Sequence, residues 1–365
     1  MSTTAFAVND AMAVKLWSKQ VTEAERDVMD IAKLMGEGDD NIIQIKSDFS
    51  KGDSKGDQIT FALRARLSGA GFSEGEKAEG NGEGLSFYSD AVVINELGNN
   101  VGVRSQHTID AQRVPMNLRE QGKNGLAAWW SDRKAAVFFN HVCGYTPANT
   151  VSATGGPKFT GFNTVVAPSA GRQIWAASTN DQGLSSSDTF TLALIDRAKE
   201  VAMTGNNMVR PVMVGGQPKH VMYLDPAQVT SLRTNAGTGG WQDIWKAAIA
   251  GGEITKNPIY TGALGEYNNV VLRQSQDVTV GVNSSSGAAI TTVRRAVLLG
   301  AQAAVCGYGG ANKMTASKYR WSEKLLDHDR ELDMAAISIW GMKKTRFNSA
   351  DFGTVVVSTY AVRQS

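Results

Sequence analysis

Residues 220–272 constrain this chain more tightly than any other stretch. They begin HVMYLDPAQVTSLRT and continue, from Trp241, as WQDIWKAAIAGGEITKNPIYTGALGEYNNVVL. Val221, Met222, Tyr223 and Leu224 make an apolar strand that Asp225-Pro226 stops. Pro226 suits the first turn of a helix over residues 228–233, where its missing amide has no partner to lose. Trp241 and Trp245 stand four residues apart, so both rings share one helical face and are predicted as core. Gly251-Gly252 ends that helix, and Asn257-Pro258-Ile259-Tyr260 opens a turn-rich ribbon leading to the strand Val270-Val271-Leu272. This succession predicts a compact wedge with a long edge. It predicts no pocket.

The second constraint lies near the N-terminus. Ile59, Phe61, Leu63, Ala65 and Leu67 alternate with more polar residues, the period of a strand with one wet face. A second strand runs over residues 85–97. Between them lies GAGFSEGEKAEGNGEG, a loop too long for a simple hairpin turn. A two-stranded projection of this kind is marginal by itself and calls for a partner surface. The acidic tip (Glu74, Glu76, Glu79, Glu83) is read as a docking tip matched to basic residues of a neighbour. Catalysis is a poor alternative there, because flexible glycines hold carboxylates badly.

Around these segments, residues 10–35 read as a helical arm carrying Trp17, with a Thr22/Glu25 capping box and Gly36 as its stop. The longest helix is predicted over 117–141, on the apolar face of Leu118, Leu126, Trp129, Trp130, Val137 and Phe138. Residues 144–187 read as irregular, and a further helix over 187–203 is capped by Ser187 or Asp188. The last part returns to sheet over 297–299, 303–305, 336–340 and 355–362. Lys343-Lys344-Thr345-Arg346 reads as a basic turn joining the last two strands.

At 365 residues, with 42% hydrophobic and 20% charged content, the chain can bury a large core divided into two or more lobes. A formal net charge of +2 argues against binding DNA mainly through a basic face. The two cysteines, Cys143 and Cys306, lie far apart, which excludes a disulfide framework and a cysteine-rich zinc site. No basic segment precedes an apolar run near the N-terminus and no apolar run reaches spanning length, so neither secretion nor a membrane is expected.

Candidate chemistry is sparse. Asp327-His328-Asp329, with Glu331 and Asp333, is the densest set of possible metal ligands, and a metal-dependent hydrolase built on Asp327, His328 and Asp329 is the rival function. It lacks a second cluster to complete a site, and a polar bend entering a strand is the simpler reading. Gly69-Ala70-Gly71 precedes no helix and Gly122-Lys123-Asn124 lacks the spacing of a phosphate loop. Cys143 near His141 is a weak nucleophile pair. No cofactor is expected.

The order of parts resembles the major capsid proteins of tailed bacteriophages, the α+β Johnson fold (the HK97-like capsid fold). It is most similar to the podovirus branch with large virion RNA polymerases. The matching pieces are Lys55-Gly56-Asp57, Arg66-Leu67-Ser68-Gly69 and Glu79-Gly80, then Arg113, Leu118-Arg119 and Trp130. Asn257-Pro258-Ile259, Gly262-Ala263-Leu264-Gly265 and Leu299-Gly300-Ala301-Gln302-Ala303 follow. The resemblance implies an N-terminal arm (1–48), an extended hairpin loop (49–105), a peripheral domain with a long spine helix (106–215 and 331–365) and an axial domain (216–330). It implies a structural protein, not an enzyme, assembling as hexamers and pentamers into an icosahedral shell around double-stranded DNA held without sequence preference. Scaffolding, decoration and portal proteins are the implied partners. The location is the virion, after assembly in the host bacterial cytoplasm. Inter-subunit contact candidates are Trp17, Glu74, Glu76, Lys77, Glu79, Glu83, Asn257 and Tyr260. Lys77 has no asparagine or glutamate match that would make a cross-link.

Overall fold

The computed structural model of the chain describes residues 30–47, 57–64, 69, 71–77, 79–80, 82–84, 87–104, 117–146, 159–205, 208–214, 216–234, 264–309 and 318–364. Among them, helices α1 (Leu118–Val142), α2 (Leu192–Thr204) and α3 (Pro226–Thr234) pack on two large sheets, the α+β class expected. The side chain of Asn117 caps α1, accepting hydrogen bonds from the amides of Arg119 at 3.1 Å and Glu120 at 3.4 Å. Its inward stripe then buries Leu126, Trp130, Val137 and Phe138.

A six-stranded sheet receives that stripe. Its order is Met35–Gly36, Ile43–Ser47, Ala304–Tyr308, Glu331–Lys344 and Arg320–Leu326, with Asn95–Arg104 also paired to the long strand Glu331–Lys344. That long strand alternates strictly, so Leu332, Met334, Ala336, Ser338 and Trp340 share its buried face. Trp130 meets Trp340 and Tyr319 edge-on, at ring centroid distances of 6.1 and 5.0 Å, and its indole N–H donates to Ala336 O at 3.3 Å. Lys134 is buried beside them: its ammonium donates to the hydroxyls of Tyr308 at 3.0 Å and Tyr319 at 2.6 Å and lies within 5.8 Å of four aromatic centroids. The rings supply the electrostatic compensation that a desolvated cation requires.

An eight-stranded sheet completes the body, in the order Gln173–Trp175, Thr354–Tyr360, Ala289–Leu299, Gln217–Leu224, Val270–Gln274 and Glu266–Tyr267, with Val280–Val282 also paired to Ala289–Leu299 and Val212–Val214 to Gln217–Leu224. One face gives Val221, Tyr223, Val297, Leu299 and Val356 to the core shared with α1. The other gives Met222, Leu224, Ala296, Leu298, Val355 and Val357 to a core shared with α2 and α3. Burial on both faces explains the near-continuous apolar runs of these strands.

Several expectations need correction. At the end of the expected helical arm, Asp30–Leu34 is a 3-10 turn, and Met35–Gly36 pairs in parallel with Ile43 and Gln44. Sheet pairing captures the chain there, and Ile31 and Leu34 are buried in the main core. The second hairpin strand does not run unbroken to residue 97. It ends at Val93, and after the buried Ile94 the chain starts the separate strand Asn95–Arg104. Helix α2 starts at Leu192, because Ser185 and Asp188 close their own turn, the Ser185 amide donating to Asp188 Oδ2 at 2.8 Å. Lys343 and Lys344 belong to a strand, and the turn falls at Asn348 and Ser349, with φ of 45° and 61°. Trp17, Trp241, Trp245, Asn257 and Tyr260, with the expected helix and ribbon that carry the last four, lie outside the described residues.

Trp130 is fully buried with edge-on aromatic neighbours, so Trp130→Ala is expected to cost about 3–5 kcal/mol of subunit stability. Urea unfolding followed by fluorescence measures it, and an unchanged midpoint would contradict this packing.

Candidate assembly surface

Among the described residues, the contacts that anchor the hairpin lie at its root. Gln58–Arg64 and Phe87–Val93 pair antiparallel through seven residue pairs, from Gln58 with Val93 to Arg64 with Phe87. At the root, Phe61 and Val92 pack on Val305. The Asn163 side chain brackets Val93, accepting from its amide and donating to its carbonyl, each at 2.9 Å. Lys343 Nζ donates to Asp90 Oδ1 at 2.6 Å and to Ala91 O at 2.9 Å, and the Ile94 amide donates to Asp57 O at 2.8 Å.

The far end is open to solvent. Glu74, Glu76, Lys77, Glu79 and Glu83 all lie on the tip and all are exposed. Local bonds shape it: Glu76 Oε2 accepts from the Ser73 amide at 2.9 Å and Glu83 Oε2 from the Gly69 amide at 2.6 Å. Phe72, 60% exposed, stands among these carboxylates. The residue reading missed it, although it is the only aromatic in the loop and a lone aromatic among glycines and glutamates was the available signal. An exposed ring rimmed by charge is the composition of an interface anchor.

Beside the hairpin root lies a recess of about 380 Å³, lined among others by Asp90, His141, Lys343, Arg346 and Ser349. Its cations are engaged: Lys343 with Asp90, and the buried Lys344 with Asp351 at 2.9 Å. Burial lowers the Lys344 pKa, against the opposing pull of Asp351. His141 is buried too, with Nε2 3.2 Å from Thr160 O. Desolvation, outweighing that hydrogen bond and reinforced by Lys344 and Lys343, pulls its pKa down to about 4.

The weaker candidates are not brought together. Burial pushes the Cys143 thiol up to about 11, and its S–H donates to Arg295 O at 3.3 Å, so it is a packed thiol and not a nucleophile. Asp327, His328 and Asp329 form an exposed turn, all three with φ between 50° and 66°, between two strands of the six-stranded sheet. Among the described residues no group of three His, Cys, Asp or Glu side chains is placed to hold a metal ion. Nor is any described helix long and apolar enough to cross a membrane.

The family model described as phage capsid protein matches residues 5–363. Among solved structures, the capsid of Ralstonia phage GP4 is 30% identical, with 100% of both chains covered and a TM-score of 0.76. The Cyanophage Pam1 capsid is 20% identical over 92% of each chain, with a TM-score of 0.64. The capsid of Helicobacter pylori bacteriophage KHP30 is 16% identical over 91% of each chain, with a TM-score of 0.60. No curated protein sequence matches the chain.

The folded-state pKa of His141 lies below its value of 6.5 in the unfolded chain. Between about pH 6.5 and 4 the unfolded state therefore binds a proton that the folded state refuses, and stability falls as pH falls through that window. The His141-dependent part is expected to reach about 3 kcal/mol at pH 4. Melting curves of the native chain and His141→Gln across this range check it, the variant showing the shallower slope.

Proposed function

We propose how this chain works from one premise: it belongs to the phage capsid protein family, by the match over residues 5–363 and the 30% identity along the full chain. It has the HK97-like fold and is a structural major capsid protein of the virion, not an enzyme. The proposal concerns the arrangement. Subunits group as hexamers and pentamers that close an icosahedral shell around double-stranded DNA. A net charge of +2 keeps contact with that DNA weak and without sequence preference.

One observation carries the reading: a seven-pair hairpin held firmly at its root presents an exposed, acidic, aromatic-bearing tip. We assign the tip to contact with a neighbouring subunit, through Phe72 and the rim of Glu74, Glu76, Lys77, Glu79 and Glu83. Trp17, Asn257 and Tyr260 remain proposed contacts of the same kind. The division into arm (1–48), hairpin loop (49–105), peripheral domain (106–215 and 331–365) and axial domain (216–330) is part of the proposal. So are scaffolding, decoration and portal proteins as partners, assembly in the host bacterial cytoplasm, and placement in the podovirus branch with large virion RNA polymerases.

Deleting residues 69–84 and closing the hairpin with a short turn is expected to leave a folded subunit with an unchanged melting temperature that forms no shells in electron micrographs. Normal shells from that variant would refute docking by the tip.

A further inference from the structure

The root of the hairpin crosses the six-stranded sheet where that sheet carries no side chains. Gly307 and Gly341 are register partners on the adjacent strands Ala304–Tyr308 and Glu331–Lys344. A Cβ on Gly341 would overlap the carbonyl oxygen of Val93 and stand 2.9 Å from its carbonyl carbon and 3.2 Å from Ile94 Cα. A Cβ on Gly307 would stand 2.9 Å from Val92 Cγ1 and 3.0 Å from Ile59 Cδ1. At Gly341 backbone therefore rests on backbone, and at Gly307 the side-chain ends of Val92 and Ile59 lie on bare strand, closer than a Cβ permits.

Two flanking groups complete the seat. Asn163 grips both polar groups of Val93, and Lys343, two residues beyond Gly341, grips Asp90 and the Ala91 carbonyl. The chain over residues 90–94 is thus pressed onto bare sheet and held at its sides. Rotation about the root would break several of these contacts at once.

We propose that the Gly307–Gly341 pair is an angle-setting seat that fixes the direction in which the hairpin leaves the subunit. It thereby sets the tilt between one copy of this chain and the next in the shell. This rests on the docking of the hairpin tip proposed above. The leverage follows from length: the three pairs beyond residue 90 already reach about 10 Å from the seat and the tip lies beyond them, so a tilt at the root grows along the projection. Short-range contacts weaken steeply with displacement.

Three variants test the seat: Gly341→Ala, Gly307→Ala, and Gly102→Ala as control, since a Cβ on Gly102 meets nothing within 4 Å. Each is examined for subunit folding by far-ultraviolet circular dichroism and for particle diameter by cryo-electron microscopy. Gly341→Ala is expected to fold and to lose the single native diameter, giving a shifted or broadened distribution, while Gly102→Ala keeps it. Gly307→Ala meets side-chain ends that can yield, so it supplies the folded case if Gly341→Ala does not fold, with the same but smaller shift expected. Native-diameter shells from a folded seat variant would overturn the seat. If the 69–84 deletion also assembles normally, docking itself has failed; if the deletion blocks assembly, only the seat has failed.

Discussion

The strand Glu331–Lys344 organises the six-stranded sheet and the elements that pack on it. Over its first ten residues it pairs on one edge with Asn95–Arg104 and, over the first seven of them, on the other with Arg320–Leu326. Over its last five it pairs with Ala304–Tyr308. Its buried face receives α1, and its C-terminal end delivers Lys343 to the hairpin and Lys344 to Asp351. A strand of 14 residues spans about 46 Å, far beyond the usual five or six. That length lets one element align the helix, the hairpin root and the approach to the second sheet.

The two sheets share an apolar core with α1, and buried ion pairs add specificity to the arrangement. Asp181 accepts from Arg295 at 2.7 Å, from Trp175 at 2.9 Å and from the Val282 amide at 2.9 Å, while Arg295 also donates to Gly144 O at 2.7 Å beyond the end of α1. Asp351 takes Lys344 and the Ser169 amide, the latter at 3.1 Å. Ion pairs this deeply buried add little net stability over an apolar filling, because desolvating both charges costs several kcal/mol. They punish a wrong arrangement severely, since either charge without its partner is stranded in a low dielectric. A subunit whose neighbours depend on its exact shape gains more from such penalties than from extra greasy packing.

Much of this was legible in the sequence, and the limits are physical. Alternation from Ile59 onward announced the hairpin strand, described as Gln58–Arg64, and apolar runs at 221–224 and 297–299 announced strands, because both patterns are local. The strand Asn95–Arg104 escaped because NELGNNVGVR carries polar residues and glycines where β-branched ones would announce a strand. Only pairing with the long strand makes it one. Lys344 looked like a solvated turn residue because its partner Asp351 reaches it only after the chain reverses at Asn348 and Ser349. The tip glutamates lie exposed and their docking remains a proposal, whereas the seat beneath the hairpin could not be read: Gly307 and Gly341 become one feature only through strand register.

A stiff root and an exposed tip divide the labour of the hairpin. A flexible projection would spread its tip over many positions, and ordering it on contact would consume much of the binding free energy. A hairpin clamped by Asn163, Lys343 and the glycine pair has lost that freedom during folding, before any neighbour arrives. Under the proposed docking, the tip would then hold its neighbour through little more than one aromatic ring and a charged rim. Contacts that small are individually reversible, so a misplaced subunit can leave, yet many of them closing one shell bind collectively far more tightly than any single one. On this proposal rigidity within the subunit permits weakness between subunits, and the bare patch at Gly307 and Gly341 is where the two requirements would meet.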